Sequence, residues 1–108
     1  MADVIDNYVN IAISITAEGA ATITCTNCTQ TVLTGSTVTV NYTLTNSTAT
    51  SDTLFAQLWN TTGLTGGSMD QELYRGTVAG NASVSLSVQF VGVVASISKS
   101  IRVGHVVG

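Results

Sequence analysis

Val9, Ile11, Ile13 and Ile15 alternate with Asn10, Ala12, Ser14 and Thr16. A period of two is the repeat of a pleated strand and collects every second side chain on one face, whereas a helix would scatter these four around its axis. The same period returns twice more. Val38, Val40, Tyr42 and Leu44 alternate with Thr37, Thr39, Asn41, Thr43 and Thr45, and Val84, Leu86, Val88 and Phe90 alternate with Ser83, Ser85, Ser87 and Gln89. Each run reads as a strand with one face in a core and one in water.

The intervening stretches are weaker versions of the same pattern. Leu54, Ala56 and Leu58 share one face of a strand whose other face carries Phe55, Gln57 and Trp59, so that strand is expected to be covered on both sides. Ile23 and Cys25 mark a shorter strand, and Leu73–Gly76 another. Val93, Ala95, Ile97, Ile101 and Val103 make the last, with Lys99 on its apolar side, which points to a bulge or a sheet edge there. Turn signals fall at Glu18-Gly19-Ala20, at 46–52 and at Ala79-Gly80-Asn81, and residues 60–70 form the longest loop. About seven strands and no helical segment predict an all-β chain: one domain over residues 1–108, folded as an antiparallel β-sandwich.

The segment Gly35-Ser-Thr-Val-Thr-Val-Asn-Tyr-Thr-Leu-Thr-Asn46, then Leu54–Trp59, then Val78-Ala-Gly-Asn-Ala-Ser-Val-Ser-Leu-Ser-Val88 resembles the CARDB-like and related immunoglobulin-like modules of prokaryotic surface proteins. Those modules carry a G-x-x-V-x-V strand ending in Asn, a second strand, and an A-G-x-x-x-x-V-x-L strand in that order. The likeness runs over about residues 30–103 and departs at Ser47-Thr48, where the family usually has Gly soon after the Asn. It implies a seven-stranded immunoglobulin-like sandwich used for adhesion or assembly, and it transfers no catalytic residues.

Composition narrows the partners. Only 8% of residues are charged and the net charge is −3, while Thr and Ser are abundant. The three basic residues, Arg75, Lys99 and Arg102, form no stripe that could neutralise phosphates, so nucleic acid is not an expected partner. No apolar run approaches the roughly 18–20 residues that span a bilayer, so membrane insertion is not expected either.

Few residues invite chemistry. Cys25-Thr-Asn-Cys28 has the C-x-x-C spacing, but a redox pair needs a cation or helix terminus to lower a thiol pKa, and neither is in sight. Two Cys and one His do not complete a four-ligand zinc set. Four residues in a turn do bring their ends within disulfide range, so the pair reads as structural, bridged or as turn thiols. His105 reads as an incidental residue of the C-terminal tail. Asp70 and Glu72 could share a strand face, but a solvated acidic pair is expected rather than a glycosidase dyad, because most aromatics look committed to the core. Gly63–Gly67 lacks the Lys and helix of a phosphate loop. No catalytic, cofactor or metal residues are therefore assigned. Five sequons remain as glycosylation candidates, Asn27, Asn41, Asn46, Asn60 and Asn81, with all but Asn41 in expected turns.

The reading that results is a non-enzymatic structural subunit whose partners are copies of itself or other proteins of the same assembly. The start at Met1 carries no signal peptide, which favours a capsid, decoration or tail component on a virion exterior over a secreted filament or surface adhesion subunit. Of the strand at 8–16 and the segment 101–108, at least one is expected to pack on a neighbouring subunit.

Overall fold

The computed structural model describes residues 8–17, 19–61 and 66–106. Asp3, Asp6, Glu18 and the outermost part of the segment 101–108 lie outside them. Eight strands follow in order: β1 (Tyr8–Ala17), β2 (Ala21–Cys25), β3 (Thr29–Leu33), β4 (Val38–Asn46), β5 (Asp52–Trp59), β6 (Met69–Val78), β7 (Ser83–Phe90) and β8 (Ile97–His105). They form a five-stranded sheet in the order β3-β1-β8-β5-β6 and a three-stranded sheet in the order β2-β4-β7.

The two sheets bury the apolar sides of the alternating runs against each other. Ile11 and Ile13 of β1, Val38, Val40, Tyr42 and Leu44 of β4, Leu54, Ala56 and Leu58 of β5, Val88 of β7, and Ile101 and Val103 of β8 make one continuous core. Burying a side chain of this size stabilises by roughly 1.5–3 kcal/mol, and this shared interior is what holds the layers together.

The strand missed in the sequence is β3. Of Thr-Gln-Thr-Val-Leu only Val32 packs against the core, so no alternation shows. The segment is extended because β1 offers it a ladder, with pairs from Tyr8↔Leu33 to Ala12↔Thr29. Strand β6 is longer than the expected Leu73–Gly76 because two register shifts against β5 leave Leu73 and Asp70 as extra residues. Each bulge inverts the in–out phase, which erases the period of two.

Three further expectations change. β1 and β8 pair with each other in parallel, from Ile11↔Ile97 to Ala17↔Val103, so the sandwich is not wholly antiparallel. Both strands lie inside the large sheet, so neither supplies an uncovered sheet edge. β8 is flanked by β1 and β5, and Lys99 stays in register opposite Ile13 without a bulge. Its aliphatic stem lies along the sheet while the ammonium reaches the carboxylate of Asp70 on β6.

Candidate functional site

The chain leaves the small sheet at Cys25 and enters the large one at Thr29, and Cys25 and Cys28 are disulfide-bonded across that crossing, with Cα atoms 5.8 Å apart. β2 stops pairing with β4 at Cys25↔Tyr42, which would leave main-chain groups of β4 without a partner. Asn27 takes over. Its Oδ1 accepts from the Asn41 N–H at 2.8 Å and its Nδ2 donates to the Thr39 carbonyl at 3.0 Å. A carboxamide has the donor and acceptor of a peptide unit, so Asn27 extends the ladder by one rung with its side chain. Gln30 Nε2 donates to the carbonyls of Asn27 and Thr39 and completes the corner.

The other sequons separate by environment. Asn46 ends β4 and is fully buried. Its Nδ2 donates to the carbonyls of Thr50 and Val78, and its Oδ1 accepts from the N–H and hydroxyl of Thr48. A glycan attached there would have to pass through the protein, so Asn46 is withdrawn as a candidate, and its role is to pin the 46–52 loop. The Asn60 side chain holds Ser68 through both its amide nitrogen and its oxygen, closing the loop between β5 and β6. Asn41 faces outward on β4, and Asn81 is exposed at the β6–β7 turn with φ 61°.

The acid–base candidates do not converge. His105 is no tail residue: it ends β8, opposite Leu54, and its Nδ1 lies 3.0 Å from Asp52 Oδ2. Asp70 faces Lys99, whereas Glu72 makes a two-pronged pair with Arg75 at 3.0 Å, so each of the two carboxylates expected as a solvated acidic pair has its own basic partner. Arg75 hydrogen bonding holds the Glu72 carboxyl below the usual carboxylate range. Among the described residues, no three His, Cys, Asp or Glu side chains gather as a metal-binding group.

Phe55 and Trp59, on the face of β5 opposite Leu54, Ala56 and Leu58, lie on the outer face of the large sheet. Arg102 stacks over the Trp59 ring at 4.1 Å and Arg75 over Phe55 at 5.5 Å. Two residues between β5 and β6 hold on to this face: the Thr61 carbonyl accepts from Ser100 Oγ and the Gly66 carbonyl from Arg102. Ser100 and Arg102 are buried here, whereas Phe55, Gln57 and Trp59 on the outer face of β5 are only half-buried, so that strand is fully covered on its inner side alone.

The outer face of the small sheet is different in kind. Its rows are Thr22-Thr45-Ser83, Thr24-Thr43-Ser85, Asn41-Ser87 and Thr39-Gln89, read across β2, β4 and β7. Every group is a hydroxyl or an amide. Cross-strand hydrogen bonds join Thr45 to Ser83 at 2.7 Å and Gln89 to Thr39 at 3.3 Å. A shallow groove of about 320 Å³ runs over Thr24, Thr26, Thr43 and Ser85. This uncharged face, with the edge of β7 beside it, is the candidate functional surface. Compared with protein-family models, with curated proteins and with solved structures, the chain gives no match.

Proposed function

We propose that the chain is a non-enzymatic structural subunit, an immunoglobulin-like module on the exterior of a prokaryotic virion that joins copies of itself or other proteins of the same particle. The observation that supports it is the outer face of the small sheet. Hydroxyls and amides donate and accept alike, and they cost less to desolvate than charges. A surface made only of them can be brought against many identical surfaces without setting like charges opposite each other. A second reading, a subunit of a secreted filament or surface adhesin, is favoured by the Cys25–Cys28 disulfide, because such bonds persist in oxidising surroundings. Mass spectrometry of purified virus particles and of sheared cell-surface filaments from the source cells separates the two. Multiple copies per particle are expected. Recovery in the filament fraction alone would sink the virion reading and leave the filament.

A further inference from the structure

The four open sheet edges of this sandwich are not equivalent. β2 and β3 have five residues each, and β2 ends at the disulfide corner. β6 carries two bulges and the charged residues Asp70, Glu72 and Arg75. Short length, bulges and charges are the devices that keep an edge from pairing with another chain. β7 has none of them. It runs eight residues in unbroken register with β4, from Thr45↔Ser83 to Val38↔Phe90, with no charge, no proline and no bulge. Among the described residues nothing pairs with its outer side.

The phase of the ladder identifies the groups left open. The Asn46 N–H donates to the Ala82 carbonyl, which makes 46/82 a hydrogen-bonded pair in the same register. Alternation then turns the main chain of Val84, Leu86, Val88 and Phe90 toward β4. Ser83, Ser85, Ser87 and Gln89 are left with their N–H and C=O groups directed outward. On the inner face Val84, Leu86 and Phe90 are only partly buried, unlike Val40 and Leu44 of the central strand.

From this we infer that β7 is the assembly edge and that its occupant is the β7 of a second copy, paired antiparallel about a two-fold axis at Leu86. The inference rests on the reading that the chain assembles with its own copies. An antiparallel edge is its own complement, and of the registers the phase allows, this one gives the most overlap: Ser83 opposite Gln89 and Ser85 opposite Ser87 of the other copy, about eight main-chain hydrogen bonds. A slip of one residue would set outward-bonding groups against inward-bonding ones and is excluded. The pairing turns two three-stranded sheets into one six-stranded sheet, covers the half-buried Val84, Leu86 and Phe90, and carries the hydroxyl face across the junction without meeting a charge.

Sedimentation across a concentration series tests it with three proteins. The unaltered chain is expected to dimerise. Ser85→Lys with Ser87→Lys sets like charges opposite each other twice across the axis and is expected to weaken the dimer by about tenfold or more. Ser85→Lys with Ser87→Glu sets opposite charges there and is expected to restore it. Should the lysines unfold the chain, a mixture of Ser85→Cys and Ser87→Cys proteins replaces them, expected to yield a mixed disulfide between these two positions on mild oxidation. A chain that stays monomeric at every concentration overturns the inference. A chain that associates but is indifferent to both charge variants, or that gives no mixed disulfide, also overturns this edge while leaving the structural-subunit reading in place.

Discussion

Asn27 and Tyr42 stand at opposite ends of polar satisfaction. The Asn27 amide replaces a missing rung between the sheets, so Asn27→Ala should strand the Asn41 N–H, leave the Thr39 carbonyl to Gln30 alone, and cost about 1–3 kcal/mol in urea unfolding. The double change Cys25→Ser, Cys28→Ser removes a loop of only four residues and should cost about 2 kcal/mol, which makes the unassuming Asn between the two cysteines comparable to the covalent bond. Tyr42 is 3% exposed, and its hydroxyl has no hydrogen-bond partner among the described residues. Removing an unsatisfied buried hydroxyl is nearly neutral or favourable, so Tyr42→Phe should leave the melting midpoint unchanged or raised. Burial also pushes the phenol up to about 12. Because the folded-state value is the higher one, the contribution is intact below about pH 10 and drains as pH rises from 10 toward 12, by about 1.4 kcal/mol per pH unit. Alkaline melts of the Tyr42→Phe protein should lack that loss; an equal loss in both proteins would assign it elsewhere.

At the scale of elements, the strands legible in the sequence were those whose partner supplies only a flat surface. β1, β4, β5 and β7 declare themselves because one face of each meets the core and the period of two survives intact. β3 was not legible and β6 only in its Leu73–Gly76 part, each for a physical reason: one is held by main-chain pairing with almost no apolar face, and the other changes phase at each bulge. The candidate surface was half visible. The outward Thr and Ser rows could be read from the alternation, but which strand ends up at an edge is a property of topology alone. Asn46 was misread because a polar residue followed by Ser-Thr looks like a loop, whereas here the amide is the buried hub of that loop. Gly80 belongs to the same corner. A Cβ there would lie 2.2 Å from the Ala49 carbonyl oxygen, a main-chain atom that cannot swing aside. Gly80→Ala should therefore destabilise by about 1–3 kcal/mol, measured by denaturant midpoint, with the β6–β7 turn and the 46–52 loop losing amide protection together.

For the molecule as a whole, electrostatics should be quiet. The pairs Glu72–Arg75, Asp70–Lys99 and Asp52–His105 are all partly open to water, where such contacts contribute little. The Arg75 hydrogen bonds hold the Glu72 carboxyl low. A depressed value means its contribution is present above the unfolded-state value and is lost as pH falls through the folded one, so the acid limb should begin only below about pH 4.5 and be shallow. Between neutral pH and pH 2.5 the melting midpoint should fall by less than about 10 °C, and less still for Glu72→Gln. A larger drop would reveal a buried carboxylate network. The parallel pairing of β1 and β8 carries a mechanical consequence. Because the two strands run the same way, the start of β1 and the end of β8 lie at opposite ends of one ladder of seven residue pairs. Tension between Tyr8 and His105 would load those rungs together in shear, while tension between Asp52 and Val78, paired at the open end of the β5–β6 hairpin, would part theirs one at a time. Single-molecule pulling should find the first geometry the stronger.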